Sequence, residues 1–231
     1  MSTFLELVQE AHRESGASGA EPSSVLNQTG EANRLVNWVR LEYRKIQIRH
    51  SNWRWMRKGF TLATVASDGA YEYSDCDDDD TASAITRFSR WYTDEFKIYL
   101  TSSGVGSEGW LSFWPWDTFK RTYRFGTQND SSPVAISVDP ANRLVLGPEP
   151  NDIYTISGDY QRGPQELTAD SDEPEMPERF HDLIWMGAVR RYAAYESAPE
   201  VWSEFKSQHS ELMRSLEQDQ LPEPAFGNPL C

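Results

Sequence analysis

The hydrophobic period of the chain changes twice, near residue 59 and near residue 170, and any fold must accommodate both changes. Before the first change and after the second, apolar residues recur at steps of three or four, which gives a helix one apolar face. Between the changes, short runs alternate apolar and polar residues, as in strands joined by turns. The sequence therefore predicts an α+β fold, with a helical bundle formed by 1–59 and 170–218 and an inserted β module at 60–169.

Four helices are predicted outside the β module, at 3–15, 29–56, 177–196 and 198–217. Thr29 is expected to cap the second helix, and Pro177 to occupy the first position of the third, where a missing N–H costs nothing. Ser197 and Glu200 have the spacing of a capping box before the last helix. The short connection between the last two helices predicts an antiparallel helical hairpin.

The inserted segment is predicted to be an antiparallel β-sandwich or small barrel, because short strands follow one another closely. Its strands are expected at 60–66, 71–73, 85–92, 96–101, 110–113, 134–138, 143–146 and 153–160. A helical turn is expected between Trp114 and Tyr123, opened by Pro115. The stretch SDCDDDD at 74–80 lacks the spacing and the glycine of an EF-hand loop, so it is predicted to be a solvated acidic loop, with Ca²⁺ binding as the alternative.

The composition excludes several classes of function. The net charge of -14 and the isoelectric point of about 4.7 argue against a basic nucleic-acid-binding face and against an anionic membrane surface. No run approaches the roughly 18 apolar residues of a membrane span, and the polar N-terminus is unlike a signal peptide. Cys76 and Cys231 lie far apart without neighbouring metal ligands, which indicates a reducing compartment and no metal site.

Motifs for catalysis are missing from the sequence. It has none of the common nucleotide-binding, zinc-protease or serine-hydrolase motifs. The histidines lie on predicted helices, with none four residues from another, and each is predicted to be an ordinary helix residue: they are His12, His50, His181 and His209. We therefore assign no catalytic residue and no cofactor and predict a protein that is not an enzyme. A hydrolase that uses two of the many carboxylates is the least favoured alternative.

The predicted helix at 29–56 carries a cluster of basic residues in an otherwise acidic chain, most notably Arg40, Arg44 and Arg49. A solvated face with local salt bridges explains such a cluster. The alternative is a contact surface for an acidic neighbouring copy, with nucleic-acid binding as a minor possibility. A second apolar stripe predicts that part of both helix faces is covered: its members are Leu41, Ile48, Trp53 and Trp55.

The last segment, 219–231, is too short and too rich in proline to be a helix or a central strand. It nevertheless carries Leu221, Phe226 and Leu230, apolar residues that suit an extended docking tail. Prolines reduce the freedom of the unbound chain, so less entropy is lost on docking. An end without function is the alternative.

Three stretches of the sequence resemble the head-to-tail adaptors of tailed bacteriophages, especially the tubular adaptors of short-tailed phages. The first, TGEANRLVNWVRLEYRKIQIRHSNWRWMRKGFTL, is a long helix that ends in an aromatic pair and leads into a strand. The second, NRLVLGPEPNDIYTISGDYQRGPQEL, is a strand, a Pro-rich turn and a strand. The third, DSDEPEMPERFHDLIWMGAVRRYAAY, is an acidic, Pro-containing entry to a helix.

The resemblance implies a structural virion protein at the head–tail interface, made in the host bacterial cytoplasm. It implies a dodecameric ring under the portal protein, with the helical bundle on the portal and the β module facing the next tail or nozzle protein. DNA passes through the lumen of such a ring without specific binding, and the resemblance implies no membrane partner. It further implies that the C-terminal tail, with Leu221, Phe226 and Leu230, reaches into clefts of the portal.

A second class of function fits the aromatic surplus, which includes nine tryptophans. The β module is then a carbohydrate- or receptor-binding domain of a virion surface protein. Its binding face would use exposed tryptophans, of which the candidates are Trp91, Trp110, Trp114 and Trp116. The framing helices argue against this alternative, because a free-standing sugar-binding sandwich does not need them.

Overall fold

The computed structural model describes residues 2–222, apart from the side chains at 199–202 and at 204. The chain divides into two compact units. One comprises Met1–Met56 with Pro164–Cys231, and the other comprises Arg57–Gly163. Helices dominate the first unit and two β-sheets dominate the second, so the predicted α+β fold is confirmed.

The described part of the chain contains five α-helices: α1 Phe4–Ser15, α2 Gly30–Arg49, α3 Trp116–Tyr123, α4 Asp182–Tyr195 and α5 Pro199–Gln220. Within the helical unit, α4 packs against α1, α2 and α5. Buried side chains from all four helices form one core, in which the most enclosed residues are Phe4, Leu35, Tyr43, Leu183 and Leu216.

The second helix is shorter than predicted. It ends at Arg49 instead of residue 56, and a separate 3-10 turn follows at Arg54–Met56. The indole nitrogen of Trp53 donates to the carbonyl oxygen of Ile46 at 3.0 Å, so the chain folds back over the helix end. This turn buries Trp53 completely and stacks its ring on Trp55, with 4.4 Å between the centroids.

Two predicted helix starts are also corrected. A 3-10 turn at Glu178–Phe180 precedes α4, with Pro177 just outside it, so the predicted single helix at 177–196 is two elements. The residue before α5 is Ala198, and the predicted capping box at Ser197 is wrong because Ser197 has a left-handed φ of 57°. Thr29 does precede α2, but its side chain makes no capping hydrogen bond.

The β unit contains eleven short strands in two sheets. They are β1 Arg57–Ala63, β2 Ala70–Tyr71, β3 Asp77–Asp78, β4 Ser83–Ala84, β5 Arg90–Trp91, β6 Lys97–Leu100, β7 Gly109–Trp110, β8 Ser112–Phe113, β9 Ala135–Val138, β10 Leu144–Gly147 and β11 Tyr154–Gln161. The larger sheet has the order β4-β3-β1-β11-β6-β7, with β5 also paired to β11, and the smaller has the order β2-β10-β9-β8. Every strand pair is antiparallel except β8 with β9, so the purely antiparallel prediction is corrected there. Alternating residues such as Phe60 and Leu62 fill the core of this unit.

The acidic stretch is partly inside the fold, which corrects the prediction of a solvated loop. Asp78 is 3% exposed because β3 pairs with β1 and places its side chain against β11. There Tyr160 Oη donates to Asp78 Oδ2 at 2.5 Å, and Arg162 Nη2 donates to the same oxygen at 3.0 Å. Cys76 is fully buried beside it, and this burial raises the pKa of its thiol to about 12.

The predicted helical turn after Pro115 is confirmed as α3, an eight-residue helix. Its buried Phe119 packs against Ala135 and Val145 of the smaller sheet. In the described part of the chain, no helix is both long enough and apolar enough to cross a membrane.

Candidate docking surfaces of the helical unit

A groove of about 380 Å³ runs along α2 and the segment 165–168, and it holds two of the predicted interface residues. Arg40 is half-buried there: its Nε donates to the carbonyl oxygen of Leu167 at 2.9 Å, and its guanidinium lies 5.1 Å from the ring centre of Phe4. Arg44 lines the same groove and is exposed. Arg40 is therefore tied to the fold, whereas Arg44 is available to a partner.

Two exposed apolar side chains flank Arg44 on the same helix face. Leu41 is 48% exposed and Ile48 is 62% exposed, and they stand three and four residues from Arg44. The sequence predicted that part of the stripe containing both is covered, and the structure covers Trp53 of that stripe but leaves Leu41 and Ile48 exposed. Single exposed apolar residues are normal, but two of them on either side of an arginine have the composition of an interface core. The groove is also lined by one exposed carboxylate, Glu166, so two arginines against one glutamate leave a net charge of +1. We call Arg40, Leu41 and Arg44, with Ile48 beside them on α2, the basic groove.

The third predicted interface residue, Arg49, lies in a different place. It lines a cleft between α2, α4 and α5, where its Nε donates to Glu217 Oε1 at 2.7 Å. His50 Nε2 contacts the same carboxylate oxygen at 3.0 Å. Burial by itself raises the pKa of Glu217, but the hydrogen bonds from His50 and Arg49 outweigh it and lower the pKa. The structure therefore brings Arg40 and Arg44 together and leaves Arg49 apart from them.

A second groove, which the sequence did not indicate, lies along α1 and the start of α4. Its volume is about 590 Å³, and its lining includes the carboxylates of Glu6, Glu10 and Asp182 and one cation, Arg13. Trp185 closes one side, with its indole nitrogen donating to Asp182 Oδ1 at 2.9 Å. Asp182 is far in sequence from Glu6 and Glu10, so only the packing of α1 on α4 reveals the three carboxylates as one surface. We call Glu6, Glu10 and Asp182 the acidic groove.

Among the residues described, no group of three or more His, Cys, Asp and Glu side chains could hold a metal ion. Both grooves present charged side chains on helix surfaces, which suits contact between proteins.

The chain matches one protein family over nearly its whole length. The model of the SU10 adaptor protein family matches residues 2–226. The chain belongs to the SU10 adaptor protein family. This confirms the predicted resemblance to the head-to-tail adaptors of bacteriophages, which are structural proteins of the virion. No curated protein matches the chain.

Only part of the predicted docking tail of this SU10 adaptor protein lies within the described residues. Leu221 follows α5 directly, its N–H donates to the carbonyl oxygen of Glu217 at 3.0 Å, and its side chain packs on the helical core. Phe226 and Leu230 lie outside the described residues. The described start of the tail is therefore part of the helical unit.

The tryptophans proposed for sugar binding do not form one platform in this adaptor. Trp91 is 5% exposed, and its indole nitrogen donates to the carbonyl oxygen of Asn142 at 2.9 Å. Trp114 and Trp116 are half-buried around Phe119. Of the four candidates, Trp110 alone is largely exposed, at 67%. Nothing in these positions favours a carbohydrate site over an adaptor.

Proposed function

We propose that this SU10 adaptor protein assembles into a ring, dodecameric in the virion, that links the portal protein to the tail. The helical unit binds the portal and the β unit binds the next tail or nozzle protein. Phage DNA passes through the lumen of the ring. The observation that carries the proposal is the presence of two grooves of opposite charge on one helical unit.

Ring formation needs two different surfaces on each copy. A head-to-tail contact joins one surface of a subunit to another surface of its neighbour, and it closes into a ring when the rotation between subunits allows. The basic groove and the acidic groove share no residue, so one copy offers both halves of such a contact. Opposite charges across an interface select the correct partner and its register more than they add affinity.

Leu41 and Ile48 supply the apolar part of the same contact. Their exposed side chains bracket Arg44, and arginine surrounded by apolar area is enriched in interface cores. In an isolated chain this small surface favours a monomer or a weak oligomer. A stable ring then requires the portal as a template, because the portal holds neighbouring copies together and reduces the entropy lost when they associate.

The charge of the chain suits a DNA conduit. A net charge of -14 on each copy makes the ring repel phosphates, so DNA passes without adhering to the wall. Specific DNA binding is not expected of this protein. The segment 219–231 is proposed to dock on the portal through its apolar residues, and Leu221 at its start is already anchored on the helical core.

The decisive experiment mixes the purified adaptor with portal particles and images the product by electron microscopy. We expect a ring of adaptor density on the portal, and no stable ring from the adaptor alone at micromolar concentration. Adaptor that sediments apart from the portal, with no added density, would overturn the proposal. A carbohydrate-binding role would instead give saturable signals on a glycan array.

A further inference from the structure

A cleft of about 410 Å³ between α2, α4 and α5 shares no residue with either groove, and no role proposed above uses it. It is unusual in an acidic protein because its lining is electropositive. Four of its side chains are cations, Lys45, Arg49, Arg190 and Arg214, and two are carboxylates, Glu42 and Glu217. The lining therefore has an excess of two positive charges.

Both carboxylates are already engaged within the fold. Glu42 is 4% exposed, binds Arg191 and lies 3.7 Å from Lys45 Nζ. Glu217 is bound by Arg49 and His50. Neither Arg190 nor Arg214 has a carboxylate within ion-pair distance in the described part of the chain. These two guanidinium groups are the uncompensated charge of the cleft.

Two buried polar atoms at the cleft lack hydrogen-bond partners among the described residues: His209 Nε2 and Arg190 Nε. Arg190 Nη1 donates to His209 Nδ1 at 3.1 Å, which makes Nδ1 the acceptor and leaves the proton of the neutral ring on Nε2. His209 is 8% exposed. Both unsatisfied atoms are therefore donors, and donors buried without a partner are uncommon in folded proteins.

The surroundings keep the imidazole neutral. Burial lowers the pKa of His209 to about 4, and the positive charges of Arg190, Lys45 and Arg49 act in the same direction against the opposing Glu42. A neutral His209 supplies its Nε2–H as a donor throughout the physiological range. Guanidinium groups bind carboxylates with paired, charge-assisted hydrogen bonds, which makes the set of donors in this cleft suited to that group.

We propose that the cleft binds a carboxylate side chain of an acidic peptide segment, held by Arg190, Arg214 and His209. The volume exceeds that of one carboxylate and accommodates the adjoining peptide, against the apolar side chains of Ile46 and Met213. Glu42 and Glu217 at the same cleft disfavour a doubly charged phosphate more than a singly charged carboxylate. The site belongs to one chain, so its test does not depend on ring formation.

The test follows the imidazole resonances of His209 by NMR in the full chain, with His209→Gln used to assign them. The probes are the acetylated, amidated peptide Gly-Glu-Glu-Gly, its glutamine counterpart Gly-Gln-Gln-Gly, and inorganic phosphate, each at up to about 10 mM, a range that detects millimolar affinity. We expect a saturable shift with the glutamate peptide and none with the glutamine peptide. No shift with the glutamate peptide, equal shifts with both peptides, or tighter binding of phosphate would each overturn the proposal.

Variants locate the binding site. Arg214 is exposed, so Arg214→Gln leaves the fold intact, and we expect it to weaken binding of the glutamate peptide about tenfold to a hundredfold, as for one lost charge-assisted hydrogen bond. Arg121→Gln removes the same charge from an exposed position on α3 of the β unit and serves as the matched control, with no expected change. Equal losses in both variants would show that the peptide responds to overall charge and would overturn the assigned site.

Discussion

The side chain of Glu42 lies across Gly187, so closely that a Cβ at residue 187 would come within 2.7 Å of Glu42 Cγ. Gly187 is on α4 and Glu42 on α2, and the absence of a side chain lets the buried carboxylate pass between the two helices. Arg191, one turn further along α4, then binds the carboxylate. A glycine in the middle of a helix costs about 1 kcal/mol relative to alanine, so its presence here is explained by packing.

We predict that Gly187→Ala destabilises the helical unit by about 1–3 kcal/mol, because overpacking and displacement of Glu42 exceed the gain in helix propensity. Urea unfolding followed by far-UV circular dichroism measures the change. In a Glu42→Ala background the obstruction is gone, and the same substitution should become neutral or stabilising by up to about 1 kcal/mol. Equal effects of Gly187→Ala in the two backgrounds would contradict this account.

The buried carboxylate of the β unit gives a second prediction. Asp78→Ala leaves Tyr160 Oη and Arg162 without their shared acceptor and should destabilise the protein by about 3–5 kcal/mol, as for one partner removed from a buried pair. Asp77→Ala is the matched control: Asp77 is adjacent and exposed, so a change within about 0.5 kcal/mol is expected. Similar losses of stability in the two variants would show that the hydrogen bonds of Asp78 do not stabilise the fold.

The contribution of the Asp78 carboxylate to the stability of the protein also depends on pH. Burial by itself raises the pKa of Asp78, but hydrogen bonds from Tyr160, Arg162 and the Asp80 backbone outweigh it, and the pKa is lowered below 3.8. A lowered folded-state pKa gives stability that is present above pH 3.8 and is lost as the pH falls through the folded value. The stability difference between the natural protein and Asp78→Ala should therefore shrink in acid, as measured by urea unfolding at several pH values.

Asp78 also illustrates what the sequence could and could not reveal. Periodicity located α1, α2 and most of the longer strands, because those patterns follow from local geometry. It missed the burial of Asp78, since five carboxylates in one short run read as solvated and the partners Tyr160 and Arg162 are more than eighty residues away. The end of α2 was missed for the same reason, because the fold-back of Trp53 onto Ile46 depends on tertiary packing.

The residues of the candidate surfaces were also predictable only in part from the sequence. The sequence singled out Arg40, Arg44 and Arg49 by their charge, but helix geometry alone did not show that Arg49 is paired with Glu217. Helical periodicity placed Leu41 on a second apolar stripe, but it could not show that this part of the stripe is exposed. The acidic groove joins Glu10 to Asp182, and such a pairing requires knowledge of how α1 packs on α4.

His209 gives a third prediction, a loss of stability in mild acid. The pKa of His209 is lowered from 6.5 to about 4 in the folded state, first by burial and then by the charge of Arg190. Between these two pH values the unfolded chain binds a proton that the folded chain does not, so stability falls by up to about 3 kcal/mol as the pH decreases from 6.5 to 4. His209→Gln cannot be protonated and should flatten this part of the profile, as measured by urea unfolding across the range. An unchanged slope in that variant would contradict the assignment.

The docking tail is tested by truncation. A chain that ends at Pro222 retains Asp219, which pairs with Arg179, and Leu221, which packs on the core, so its melting temperature should be unchanged. It should nevertheless fail to bind portal particles, because Phe226 and Leu230 are removed. Cosedimentation with the portal measures the loss, and the full-length chain is the control. Normal binding by the truncated chain would rule out a role for residues 223–231.

The last prediction concerns the contact between copies. Arg44→Glu places a negative charge in the basic groove, opposite the acidic groove of the neighbouring copy, and should abolish ring formation on the portal. The melting temperature of the monomer should stay within a few degrees, because Arg44 is exposed and exposed charges contribute about 0–1 kcal/mol to folding. Native mass spectrometry of the portal–adaptor complex gives the number of bound copies.

A reversal in the acidic groove should restore assembly. Glu10→Arg is suitable because Glu10 forms only a partly exposed ion pair, with Arg13, so its replacement costs the fold little. In the double variant Arg44→Glu with Glu10→Arg, the carboxylate introduced into one groove can face the cation introduced into the other, which relieves the repulsion, and we expect rings to return at least in part. Assembly that is lost in both single variants and stays lost in the double variant would show that the two grooves do not face each other. The ring would then use another surface of the adaptor.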